Sequence, residues 1–238
     1  MTAKLHLRPV LGVIVSVALL GAAAPSQAQK AERLATIDRS RSAISDALAK
    51  GDVAAAALVL DRLERSRTDT SGAVTESAVA AIPASGSITF EQIRACGFYP
   101  QETRLVCELD IKQKSGYGGN IGSLGSFEFV YFCVDWNCDG QFSASEATGM
   151  GIVHMHDESA GAGPTWQYAV YRDIDPPGQP SPLCRVRTGP GNVTITQTNG
   201  PTHAARAILS WFTPATSCSY SPFWGNVVNF QMRLDPIR

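Results

Sequence analysis

Leu105-Val106-Cys107-Glu108-Leu109-Asp110-Ile111-Lys112 alternates in steps of two: Leu105, Cys107, Leu109 and Ile111 fall on one face, and Val106, Glu108, Asp110 and Lys112 on the other. Side chains of a strand point to opposite faces in turn, so this stretch reads as a half-buried antiparallel strand with one dry and one wet side. Near the C-terminus Val228, Phe230, Met232 and Leu234 alternate in the same way with Asn229, Gln231 and Arg233. Further strand-like runs lie at 127–135, 151–157, 166–172, 183–187, 193–198 and 205–211. Glycine- and proline-rich turns at 161–164, 176–182, 189–192 and 199–201, and Pro214, separate them. Eight short strands with this punctuation predict a mainly β fold, an antiparallel β-sandwich of jelly-roll or Ig-like type, with a barrel as the competing architecture.

Upstream the period changes. Residues 29–67 are rich in Ala, Leu, Arg, Asp and Glu and free of proline and aromatic residues, the composition of a helical segment. Lys50, Gly51 and Asp52 interrupt it, which suits either a hairpin of two helices or a single exposed helix followed by a spacer. Residues 68–89 are small and polar and read as a linker, so the β-sandwich domain is expected over 90–238. At the N-terminus, Lys4 and Arg8 precede an apolar run from Val10 to Ala24 and the small residues around Ala28. That order is the pattern of a secretory signal peptide over 1–28, cleaved after Ala28, with a retained anchor as the alternative.

Charge and cysteine content narrow the function classes. Twenty Lys and Arg against 21 Asp and Glu leave no global field to attract nucleic acid, and no membrane contact is expected once the leader is removed. The six cysteines, Cys96, Cys107, Cys133, Cys138, Cys184 and Cys218, all follow the leader, and an even number in an exported chain predicts disulfides. Nearness in sequence suggests Cys96 with Cys107, Cys133 with Cys138 and Cys184 with Cys218. Localisation is expected to be periplasmic or extracellular.

The sharpest motif is Asp135-Trp-Asn-Cys-Asp-Gly-Gln-Phe-Ser-Ala-Ser-Glu146. Calcium takes six to eight oxygens, and a loop winding round it needs inward oxygens at alternate positions, a glycine for the turn and a closing glutamate. Residues 135–146 resemble the calcium loop of the EF-hand family and its dockerin relatives. The resemblance implies Asp135, Asn137, Asp139 and Glu146 as side-chain ligands, Gln141 through its carbonyl, Ser143 directly or through water, and Phe142 as the packing position. Trp136 and Ala147 depart from the family pattern. The approach FEFVYFCVD reads as a strand and not an entering helix, so the loop is expected to be a structural calcium clip between strands, with Ca2+ as cofactor. The alternative is a metal-free turn in which Asp and Asn cap their own backbone. Segments FVYFCVDW, ARAILSWFTPATS and FWGNVVNFQMRLDP are also similar to secreted bacterial β-domain proteins of unassigned activity, a likeness that implies architecture alone.

Weaker constellations remain. His154 and His156 project from one strand face, and a third ligand such as His203 or Asp173 would complete a zinc site; the alternative is surface histidines. Asp173 and Asp175 precede two prolines and read as a turn, a carboxylate pair or a second calcium patch. Trp136, Trp166, Trp211, Phe223 and Trp224 suit either a sugar-stacking platform or core packing. The leading expectation is a secreted, non-enzymatic, calcium-stabilised module for adhesion, assembly or recognition of a protein or carbohydrate ligand. Its competitor is a metal-dependent hydrolase built on His154 and His156.

Overall fold

The computed structural model describes residues 26–70, 86–158, 166–176 and 202–234. Among the described residues seven strands form two antiparallel sheets. One contains β1 (Glu91–Tyr99), β2 (Arg104–Ile111) and β5 (Trp166–Asp173), in that order. The other runs β4 (Ala147–Met155), β3 (Ser126–Val134), β6 (Thr202–Trp211) and β7 (Val227–Arg233). The expected alternation is realised in β2, where Leu105, Cys107, Leu109 and Ile111 are all buried. They face Val130, Phe132 and Val134 of β3 and Ala205, Ala207 and Leu209 of β6 across the sandwich core. The runs 183–187 and 193–198 lie outside the described residues.

The edges of the two sheets lie against one another, β5 beside β4 and β1 beside β7. At the second seam Asn226 stands in for a peptide unit. The Ile93 amide donates to its Oδ1 at 2.7 Å, and its Nδ2 donates to the Ile93 carbonyl at 3.0 Å. This contact coincides with a register shift between Ile93 and Ala95. The shift and Gly97 blur the alternation of β1, which is why no strand was expected there.

The helical segment is a hairpin, α1 (Gln27–Ala49) and α2 (Val53–Thr70), as one of the two sequence readings has it. Gly51 supplies the positive φ of +74° at the join, and the Asp52 carboxylate accepts the Ala55 amide to start α2. Ser26 and Gln29 form a reciprocal cap on α1. The expected leader falls on residues 1–25, outside the described residues, and on Ser26–Ala28, which cap and open α1. Among the described residues no helix is long and apolar enough to cross a membrane. Ile37, Ile44, Leu48, Ala56 and Leu63 pack on Trp211, Phe223 and Trp224, so the hairpin shares a core with the β-rich body. Of the segment read as a linker, residues 71–85 lie outside the described residues, while Ser87 is bonded to Phe223 and Gly225.

Arg41 of α1 enters the end of the sandwich. Its Nη1 donates to Glu91 Oε1 at 2.6 Å, its Nη2 lies 3.7 Å from Glu128 Oε1, and its Nε donates to the Gly116 carbonyl at 3.3 Å. The guanidinium sits 4.2 Å from the Phe90 ring centroid and 4.1 Å from that of Trp211. Arg41, Glu91 and Glu128 are all 0% exposed. Two carboxylates thus share one buried cation. Burial pushes the Glu128 carboxyl well above the usual carboxylate range, the Glu91 charge adds to that, and Arg41 opposes it.

Among the described residues two disulfides are resolved, and they correct part of the pairing expected from nearness. Cys96 and Cys107 do join, directly opposite one another on β1 and β2. Cys133, however, pairs with Cys218 across 85 residues, so neither Cys133–Cys138 nor Cys184–Cys218 forms. Alternation along β3 puts Cys133 on the face opposite the core side occupied by Val130, Phe132 and Val134. Cys138, in a left-handed conformation at φ +59°, points instead towards His203 and is itself disulfide-bonded. Cys184 lies outside the described residues.

Candidate metal centre

The loop 135–146 leaves β3 and enters β4, a strand-to-strand connection closed by a short 3-10 turn at Ala144–Glu146. Its start is pinned to β6. The Asp135 amide donates to the Ala204 carbonyl at 2.9 Å, and the Asp135 carbonyl accepts from Nδ1 of the buried His203, also at 2.9 Å. The latter bond requires the proton on Nδ1.

Inside the loop the side chains at positions 1, 3, 5 and 12 turn onto the loop's own amides. Asp135 Oδ1 accepts the Asp139 amide at 3.1 Å, and Oδ2 accepts the Gly140 amide at 2.9 Å. Asn137 Oδ1 accepts the Asp139 amide at 2.8 Å, and Asp139 Oδ1 accepts the Gln141 amide at 2.8 Å. Glu146 reaches back across the ring: Oε2 accepts the amide of Ser143 at 2.7 Å and its hydroxyl at 2.9 Å, and Oε1 accepts the Asn137 amide at 3.4 Å. Gly140 takes the turn at φ +81°. Phe142 lies under Arg206 of β6, its ring centroid 4.3 Å from the guanidinium carbon, and Arg206 Nη1 also donates to the Cys218 carbonyl at 2.9 Å. The packing position thereby ties the loop to the Cys133–Cys218 disulfide.

Two carboxylates of this loop are buried, Asp135 at 3% and Glu146 at 2% exposure. Neither has an ion pair with Lys or Arg among the described residues. Burial raises the Asp135 carboxyl above its ordinary value and the Glu146 charge pushes the same way, while the Gly140 and Asp139 amides oppose both. An all-oxygen donor set around two buried, unneutralised carboxylates fits a hard cation. Asp139 and Gln141 stand at the exposed rim, and among the described residues no group of three or more His, Cys, Asp or Glu is placed to hold a metal ion. Of the six sequence-predicted ligands, the fold brings Asp135, Asn137, Ser143 and Glu146 together by hydrogen bonds, while Asp139 faces Asn137 and Gln141.

The rings of His154 and His156 lie 4.5 Å apart between centroids, but neither suggested third ligand joins them. His154 Nε2 donates to the Leu124 carbonyl at 2.9 Å and His156 Nε2 to the Ser123 carbonyl at 3.3 Å, so the two rings hold the glycine-rich loop against the end of β4. His154 also stacks on Phe127 at 4.5 Å between centroids. His203 is bonded at the 135–146 loop, and Asp173 is held by Arg104 through two hydrogen bonds of 2.6 and 3.3 Å. Of the aromatic set, Trp211, Phe223 and Trp224 are core, Trp166 is exposed, and Trp136 is half-buried with its ring edge-on to His203 at 5.4 Å.

Sequence reasoning did not anticipate the parts played by His203 and Arg206. His203 shares strand parity with the buried Ala205 and Ala207, and that was the available sign that it faces inward. Comparison with known proteins finds no matching family, no matching curated relative and no matching solved structure.

Proposed function

We propose that this chain is an exported, non-enzymatic recognition or assembly module whose β-sandwich is stabilised by one structural calcium ion in the 135–146 loop. The observation that carries the reading is the burial of the Asp135 and Glu146 carboxylates beside one another with no basic partner among the described residues. A divalent cation supplies the missing positive charge. Asp135, Asn137, Asp139 and Glu146 would hold it with side-chain oxygens, Gln141 with its carbonyl, and Ser143 directly or through water. The cross-strand and long-range disulfides support an oxidising compartment, periplasmic or extracellular, where a lone loop with a dissociation constant of ~0.1–1 mM stays loaded without signalling.

Calorimetric titration of the chelator-stripped protein with calcium tests this. Saturable heat is expected from the wild type and not from the Asp135→Ala, Asp139→Ala double variant. Equal heat from both, or none from either, would overturn the calcium assignment.

A further inference from the structure

The helical hairpin and the sandwich keep separate cores. Ile37, Ile44, Leu48, Ala56 and Leu63 of the helices close on Trp211, Phe223 and Trp224, whereas the core between the two sheets contains no helical residue among those described. The charged tie between them is Arg41, which leaves α1 to stand between Glu91 of β1 and Glu128 of β3. We propose that this junction is a proton-operated latch: one proton resides on the Glu91 and Glu128 pair while the hairpin is docked, and its loss lets α1 and α2 leave Trp211, Phe223 and Trp224 as a unit.

Charge and hydrogen bonding agree on that proton. Fully ionised, the three buried side chains would carry one positive and two negative charges, one negative in excess and out of reach of water. An unmatched buried charge is costly, and taking up a proton relieves it. Glu91 accepts the Arg41 hydrogen bond at 2.6 Å, whereas both Glu128 oxygens lack a hydrogen-bond partner, which places the proton on Glu128. Protonation makes one of those oxygens a donor and leaves Glu91 as the single anion matched to Arg41. The other titratable groups around the cluster do not supply the missing charge. Asp38 of α1 is a third acid, and Lys112 after β2 spends its ammonium on the Ile88 carbonyl at 2.9 Å and Gln92 Oε1 at 2.8 Å. The Tyr117 hydroxyl, whose pKa burial raises, donates to the Phe90 carbonyl at 2.9 Å, and β6 contributes the neutral Trp211. Burial accordingly raises both carboxyls above their ordinary values, with Arg41 opposing. Docking is therefore favoured below the raised values and weakens as pH climbs through them.

Hydrogen–deuterium exchange of the full chain, corrected for the intrinsic pH dependence of exchange, tests this. As pH is raised above the usual glutamate range, protection of the α1 and α2 amides should fall by up to about tenfold per pH unit, the slope for one proton, while β2, β3 and β6 keep theirs. Glu128→Gln, with no proton to lose, should hold the helices protected throughout, and Glu108→Gln, on the wet face of β2, should behave as the wild type. At neutral pH an infrared carboxylic-acid band is expected from the wild type and not from Glu128→Gln. Helix protection indifferent to pH, a slope unchanged in Glu128→Gln, or helices and sheets opening together would overturn the latch. Absence of the band from the wild type, or its survival in Glu128→Gln, would overturn the placing of the proton on which the latch depends.

Discussion

Replacing Arg41 with methionine keeps a long side chain between Phe90, Tyr117 and Trp211 but takes the positive charge from Glu91 and Glu128. All three charged side chains are 0% exposed, so water cannot compensate. Breaking a buried ion pair by removing one partner costs ~3–5 kcal/mol. The hydrogen bond to Glu91, ~1.5–3 kcal/mol for a charged group, and the guanidinium–ring contacts fall within that range and do not add to it. Against a total stability of ~5–15 kcal/mol, Arg41→Met should lower the urea midpoint severely. Emission from Trp211 and Trp224, which pack under the helices, reports the transition. Glu128→Gln should do the opposite. It removes the second carboxylate, whose two oxygens have no hydrogen-bond partner, and should leave stability at neutral pH unchanged or raised. A loss below ~1 kcal/mol for Arg41→Met, or a loss of equal size for Glu128→Gln, would refute the account of the network.

Three other outcomes follow from the same geometry. Glu128 and Glu91 both have carboxyls raised above their ordinary value, chiefly by burial. The folded state therefore binds more protons than the unfolded chain above the usual glutamate range. Stability is full below that range and falls as pH rises through the raised values, so the urea midpoint should drop as pH rises out of the usual glutamate range, and Glu128→Gln should flatten the drop. Opening Cys133–Cys218, with a sequence separation of 85, should cost about 4.6 kcal/mol by loop-closure entropy, against about 2.8 kcal/mol for Cys96–Cys107 with a separation of 11; denaturation of the paired Cys→Ser variants gives the order. Millimolar calcium should raise the melting temperature of the wild type and not that of Asp135→Ala, Asp139→Ala, as scanning calorimetry will show.

The sandwich was legible where one face is wet and the other dry. β2 announces itself through Leu105, Cys107, Leu109 and Ile111, and β6 through Ala205, Ala207 and Leu209. β1 was hidden because its bulge and Gly97 break the two-residue period, and because what fixes its edge is a side chain 133 residues away, Asn226. The loop 135–146 could be read as a ligand pattern, since its spacing is local. Its braces could not: His203 and Arg206 reach it from β6, and periodicity carries no record of such contacts. Arg41 is the clearest case. In a helix full of arginines nothing marks this one as buried, because its partners Glu91 and Glu128 are 50 and 87 residues further along, the second by difference of their numbers.

The Asn226 clamp has a bearing on how this protein can meet others. Binding by strand addition needs a row of open amides and carbonyls along a sheet edge. Here the amide and carbonyl of Ile93 are already occupied by a side chain, and β5 and β4 lie against each other at the far seam. An incoming extended peptide would have to displace Asn226 before its first backbone hydrogen bond could form. Contact is thereby steered to loops and sheet faces, and the same arrangement spares the chain the edge-to-edge polymerisation to which exposed strands are prone.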